Sequence, residues 1–254
     1  MRYLILFFLM LTQSINSQNY VLKYEAIFNT SLPFTMDNYL FINDDFSCFK
    51  VDYNTRKAIS DETDIPGLKG RKVRMKPANI IDLYYLKRDN PVLSFTQKLG
   101  KIDVLVKDVL PKIEWVISNE SKQIDRFLAY KATGTFRGRE WIAWFTPDLP
   151  YPYGPWKLNG LPGVILSVHD SEQRYVYKLV EVSSEEDLKI YNEFLDKTTN
   201  LRELSLKEYW EEYWEKLENV IRTAGMNSRS AVIKGEGLNR SNQIEAIYEW
   251  EEDK

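Results

Sequence analysis

The chain has 254 residues, a formal net charge of −3, 44% hydrophobic and 28% charged residues. That length fits one large domain, and the composition belongs to a folded chain rather than a disordered one. No basic field is present to draw in nucleic acid.

Met1 and Arg2 give a short positive start, Tyr3 to Leu11 form an apolar run, and small and polar residues follow to Ser17. This is the layout of a secretory signal peptide over residues 1–17, with cleavage before Gln18 and a single mature domain over 18–254. The apolar run is short of the roughly 20 residues that cross a bilayer. No later stretch is longer, so no transmembrane segment is expected in the mature chain.

The pattern then predicts strands over Tyr20–Phe28 and Tyr39–Tyr53, both rich in aromatic and β-branched residues. Cys48, the only cysteine, reads as a small buried strand residue with no disulfide partner. From Asn54 to about residue 79, charges, Pro66, Gly67, Gly70 and Pro77 crowd together as a long polar loop. Its Arg71, Lys72, Arg74 and Lys76 read as a solvated face, with a phosphate-bearing or acidic partner as the alternative. Strands resume at Ile80–Leu86, Val92–Lys98 and Ile113–Ile117, the last with period-two alternation, followed by a turn region over Ser118–Asp125. Phe127–Phe136 and Glu140–Phe145 pair about Gly138, and Val164–His169 and Tyr175–Val182 form a second hairpin. Such short connections make an antiparallel sheet.

One strong helix is predicted, Leu206–Ala224, opened by a Ser205/Glu208 capping box and closed by Gly225. Trp210, Trp214, Leu217 and Ile221 define its apolar face, expected to bury both tryptophans against the sheet. Ile244–Trp250 reads as a last edge strand. The fold class is therefore mainly β (α+β), an antiparallel, curved sheet with one long C-terminal helix packed on it.

Chemistry-bearing constellations are scarce. His169 is the only histidine, and no G-x-S-x-G serine accompanies it. Phosphate loops and dinucleotide glycine fingerprints do not occur, and His/Cys zinc sites lack the residues. No catalytic, cofactor-binding or metal residues are singled out and no cofactor is called for, although a carboxylate pair stays open.

The distinctive segment is Phe136–Ile165, where prolines and glycines alternate with Trp141, Trp144, Tyr151, Tyr153 and Trp156. Proline fixes φ and glycine opens unusual backbone conformations, so the segment specifies a rigid, irregular loop. It is either an aromatic recognition surface, with Tyr153 at an exposed tip, or a lid that packs its aromatics on the core. Within it, Pro162 and Gly163 suit the second and third positions of a turn, the third with positive φ, and Gly160 lets the chain enter.

Gly160-Leu161-Pro162-Gly163-Val164-Ile165 resembles the motif that names the GLPGLI family, with Val in place of Leu. The resemblance extends through Phe136-Arg137-Gly138-Arg139, Ala143-Trp144-Phe145-Thr146-Pro147 and Gly154-Pro155-Trp156-Lys157, and weakly to Asn242-x-Ile244-Glu245. It implies an exported Bacteroidota envelope protein, in the periplasm or at the cell surface, of a kind often encoded near TonB-dependent outer-membrane receptors. Family members often carry a cysteine in the strand that holds Ala129 here. The family pattern supplies no catalytic residues. The functional expectation is non-enzymatic binding or an accessory role in outer-membrane transport or assembly, with a TonB-dependent receptor, another envelope protein, or an amphiphilic or peptide ligand as partner. The alternative is an envelope hydrolase using carboxylates or Tyr. Candidate recognition residues are Arg137, Arg139, Trp144, Tyr151, Tyr153, Trp156, Gly160, Leu161, Pro162 and Gly163.

Overall fold

The computed structural model describes residues 19–30, 33–59, 81–185, 189–223 and 243–251. The leader, most of the polar loop with its basic residues, the Gly225 cap and Asn242 lie outside the described residues. The strands are β1 (Asn19–Phe28), β2 (Phe34–Ile42), β3 (Phe46–Asp52), β4 (Lys57–Ala58), β5 (Ile81–Lys87), β6 (Val92–Leu99), β7 (Ile102–Val109), β8 (Val116–Ile124), β9 (Phe127–Phe136), β10 (Arg139–Thr146), β11 (Val164–Asp170), β12 (Tyr175–Glu185) and β13 (Arg202–Ser205). The helices are α1 (Ile190–Thr198) and α2 (Leu206–Thr223).

The strands form one 13-stranded sheet in the order β13-β7-β6-β5-β3-β2-β1-β12-β11-β10-β9-β8, with β4 paired to β2. Every pairing is antiparallel except β13 on β7. Cross-strand rows show why one face is buried. Ala132, Ala143, Val168, Tyr177, Ala26 and Met36 are successive partners from β9 to β2. All of them are buried. A second row runs Leu22, Leu40, Phe49, Tyr84, Phe95, Val106 and Leu204, likewise buried. Directly opposed side chains of this kind are the unit that stabilises a sheet. Leu206 and Tyr209 of α2 join this core. On the other face, α1 sets Ile190 and Phe194 against Phe46, Cys48, Leu83 and Leu105. Cys48 is thus a buried free thiol whose pKa burial pushes up.

Several expectations need correcting. Among the described residues two α-helices are present, α1 and α2, where one strong helix is predicted. The run Tyr39–Tyr53 is two strands, because Asn43 Oδ1 accepts from the amides of Asp45 and Phe46 and turns the chain between them. Ser118–Asp125 is mostly strand: β8 is a sheet-edge strand, exposed along nearly all its length, and its polar residues mimic a turn. Ile113 and Trp115 precede that strand; Ile113 is buried, and Trp115 Nε1 donates to the Asn159 carbonyl at 2.8 Å. The segment at Ile244–Trp250 is no edge strand but an irregular strap ending in a 3-10 turn at Glu249–Glu251. The Ser205/Glu208 box forms as expected, with Glu208 accepting from the Ser205 amide at 2.8 Å and Ser205 Oγ from the Glu208 amide at 3.3 Å. Past the first turn of α2, however, Trp210 and Trp214 are only half-buried, stacked on each other at 6.2 Å. Among the described residues, no helix is long and apolar enough to cross a membrane.

Candidate functional site

The motif loop, residues 147–163, leaves β10 and returns as β11. Its hinge is a close backbone approach: a Cβ on Gly163 would lie 2.0 Å from the Thr146 carbonyl oxygen. Gly163 does not have the positive φ expected for it; Gly160 does, at +95°. Gly154 is confined as well, since a Cβ there would meet Ile165 at 2.6 Å. The loop pins itself through Tyr151 N to Leu149 O, Gly160 N to Pro152 O and Val164 N to Leu149 O.

The recognition residues divide by burial. Tyr151, Tyr153, Trp156 and Leu161 are buried, Trp144 is half-buried, and Pro162 is exposed. Tyr153, expected at an exposed tip, is only 3% exposed. Trp156 packs edge-on to Phe136 at 5.7 Å and tilted against Trp141 at 6.0 Å. Tyr151 meets Tyr20 at 5.8 Å, and Lys122 Nζ lies 3.9 Å from the Trp144 ring centroid. The aromatics of this loop therefore mostly face inward.

Arg137 and Arg139 are buried too. Arg137-Gly138 is the turn between β9 and β10, both residues at positive φ (46° and 79°), as a tight hairpin turn requires. The turn throws the Arg137 guanidinium onto Asp108 of β7, at 2.8 and 2.7 Å, and onto Glu249 of the strap. Glu245 is a further partner. Lys157 Nζ donates to Asp108 Oδ2 at 2.8 Å and to both Glu245 oxygens at 2.9 and 3.0 Å. Arg139 donates to Asp170 at 2.9 Å and to the Gln243 carbonyl at 2.9 and 2.7 Å. The Arg137 carbonyl accepts from the amides of Ala246 and Ile247. Gly138 has no room for a Cβ, which would sit 2.9 Å from Ile247. Burial acts to raise the Asp108 pKa, but Lys157 and Arg137 outweigh it and hold the carboxyl below its usual range. Burial alone would lower Arg137; its carboxylate partners raise it instead.

Sequence reasoning picked out Arg137 and Arg139 but missed Asp108, Asp170 and Glu249 as their partners. Lys157 and Glu245 belonged to the resemblance without an assigned role. The shared feature is geometric: the Phe136–Arg139 turn, Lys157 and Glu245 are distant in sequence and meet in one buried ionic cluster that straps the C-terminal segment to the sheet. Tyr248 of that strap is 1% exposed and stacks on Trp250 at 4.6 Å. Among the described residues, no group of three or more His, Cys, Asp or Glu side chains is placed to hold a metal ion.

A second polar feature lies on the same sheet. Burial pushes the Asp82 carboxyl up to about 6, against the lowering effect of its hydrogen bond with Tyr53. The Asn38 side chain, fully buried, has no hydrogen-bond partner among the described residues.

No family model matches the chain. No curated protein matches it either. Among solved structures it is similar to PNGF-II in space group C2, with 18% identity and a TM-score of 0.51 over 78% of this chain and 33% of that one. PNGF-II in space group P21 gives 17% identity and a TM-score of 0.53 over the same shares. An uncharacterized conserved protein from Thermus thermophilus matches at 9% identity and a TM-score of 0.36, over 75% of this chain and 91% of that one. The chain thus spans about a third of the length of PNGF-II, and at this identity the likeness is one of fold.

Proposed function

We propose that the chain is an exported envelope protein of the GLPGLI type, acting by non-enzymatic binding or as an accessory to outer-membrane transport or assembly. The observation that carries this reading is the fate of the motif residues. Arg137 and Lys157 are committed to Asp108, Glu245 and Glu249, and Arg139 to Asp170 and the Gln243 carbonyl. A motif whose charges are spent internally builds a scaffold rather than a reaction centre. The leader supports export, and a sheet capped on one face by α2, the loop and the strap suits an amphiphile or peptide ligand. The partner is a TonB-dependent receptor or another envelope protein. Cross-linking the protein in envelope preparations of its host, followed by mass spectrometry, tests this. Recovery of an outer-membrane protein above a control of unrelated exported protein is the expected result. Intact Met1 on the isolated protein, with fractionation to the cytosol, overturns it.

The second reading is a hydrolase, favoured by Asp82 beside Tyr53, since a carboxyl with a pKa near neutrality is matched to proton transfer. Turnover of nitrophenyl esters or glycosides that disappears in Asp82→Asn would establish it; no turnover in the wild type removes it.

A further inference from the structure

Strand β8 ends the sheet with no further strand beside it among the described residues. The opposite edge, β13, is four residues long and runs straight into α2. Strand β8 has nine residues, nearly all exposed, and neither proline nor glycine. A long free edge is a template for another strand. We propose that β8 joins two copies of this chain edge to edge, antiparallel, with Ser121 on the two-fold axis.

The backbone limits how a second strand can dock. Ile124 and Phe127 close the two-residue turn of the β8–β9 hairpin, so they form a hydrogen-bonded pair. Pair types alternate along an antiparallel ladder. Lys122 therefore also faces β9, while Ser121 and Gln123 aim their N–H and C=O groups outward. Two symmetric copies must set outward residues opposite outward residues, so the axis passes through a residue and not between two.

Charge then selects the residue. Glu120 and Lys122 share a face: Glu120 pairs with Lys131 at 2.8 Å, and Lys122 Nζ lies 3.9 Å from the Trp144 ring centroid. Lys131 and Trp144 are themselves cross-strand partners. An axis through Glu120 opposes two carboxylates, and one through Lys122 opposes two ammoniums; like charges directly opposite destabilise a sheet. An axis through Gln123 runs each strand into the turn at Asp125, whose φ of +52° is not strand backbone. An axis through Ser121 sets Glu120 against Lys122 of the second copy, twice over, and Asn119 against Gln123. It also gives Lys122 the carboxylate that it lacks among the described residues.

The strand carries a bulge, with Ser118, Asn119 and Glu120 standing opposite the single Lys131. Bulges and edge charges discourage indiscriminate pairing. Here they shorten the contact and exclude the other registers, which leaves one arrangement. A short contact makes a concentration-dependent dimer.

The test is sedimentation velocity of the full-length mature protein over a concentration series. The wild type should pass from monomer to dimer and no further, because pairing β8 with β8 consumes both edges. Glu120→Lys and Lys122→Glu each oppose like charges at both symmetric contacts, and each alone should weaken dimerisation by roughly tenfold or more. Mixed in equal amounts, the two variants restore opposite charges at both contacts and should regain the dimer. A wild type that stays monomeric up to its solubility limit overturns the proposal, even if another protein's strand binds β8. So does a dimer that both charge variants leave unchanged, or a mixture that stays monomeric. Should a charge variant fail to fold, cysteines decide. Residues paired on the axis have Cα atoms about 5.5 Å apart, within disulfide reach. Ser121→Cys should therefore cross-link to itself under diamide. Gln123→Cys should not, since its two copies stand roughly 14 Å apart. Equal cross-linking of the two, or none in Ser121→Cys, places the axis elsewhere and overturns the proposal.

Discussion

Gly163 lies against the carbonyl of Thr146, so close that a methyl group at its Cα would stand 2.0 Å from the oxygen. The constraint is steric exclusion by backbone, and backbone cannot swing away as a side chain can. Gly160 is a different case: its φ is +95°, but the nearest atoms to an added Cβ are 3.9 Å away on Trp115. Gly163→Ala should therefore cost roughly 3 kcal/mol or more, at the top of the overpacking range. Gly160→Ala should cost about 1 to 2 kcal/mol, the strain of a left-handed conformation. Urea unfolding of the two variants separates the mechanisms, and equal losses would refute the steric account.

The aromatic residues of α2 and the strap differ in depth. Tyr248 is 1% exposed, whereas Trp214 is half-buried and outside the main core. Tyr248→Ala should cost about 3 to 5 kcal/mol, the usual loss for a buried large aromatic. Trp214→Ala should fall well short of that, at about 1 to 2 kcal/mol. A larger loss at Trp214 than at Tyr248 would mean that α2 rather than the strap closes the core.

How far the sequence shows all this depends on range. The β9–β10 and β11–β12 hairpins are legible because alternation and turn residues lie within one short window. Strand β8 is illegible because an edge strand with few buried side chains has no apolar period to display. Helix α1 has only Ile190, Phe194 and Thr198 buried, too sparse a signal over nine residues. The rigidity of the motif loop is readable from its prolines and glycines, but the inward direction of Tyr153 and Trp156 is set by the sheet beneath. Nor could spacing pair Arg137 with Asp108 and Glu245, which are 29 and 108 residues away. The role of Gly163 escapes the sequence for the same reason. Turn chemistry suggests a positive φ at Gly163, and only the fold brings Thr146 against it.

Two carboxyls should shape the acid response in opposite directions. Asp108 has a depressed pKa in the folded state, so its stabilisation is present above the unfolded value and lost as pH falls through the folded one. Asp82 is raised from 3.8 to about 6, so its contribution is full below the unfolded value and lost as pH rises through about 6. Asp82→Asn removes that second dependence while keeping an acceptor for Tyr53. Its stability relative to wild type should climb between those two pH values and then level off. After discounting for partial exposure the gain is about 1 to 2 kcal/mol. Unfolding curves at stepped pH check this, and a difference that is flat across the window would mean that Asp82 is solvated.

The last prediction concerns the strap. Arg137 and Lys157 face Asp108, Glu245 and Glu249, and the side chain of Glu249 is 43% exposed. Among the deeply buried members the charges therefore balance, two cations against Asp108 and Glu245. Lys157→Met leaves both carboxylates short of a partner and should cost about 3 to 5 kcal/mol, as loss of one member of a buried pair does. Glu245→Gln keeps the shape and an acceptor, so its cost should be nearer 1 to 3 kcal/mol. Because Glu245 sits on the strap, that loss should appear first as faster proteolysis near residues 243–251, before global unfolding. The combination Lys157→Met with Glu245→Leu swaps a charged pair for apolar side chains, and it should cost less than the sum of the single losses. Additive losses in that cycle, with no change in strap cleavage, would show that the two residues are not coupled and that something else holds the C-terminal segment in place.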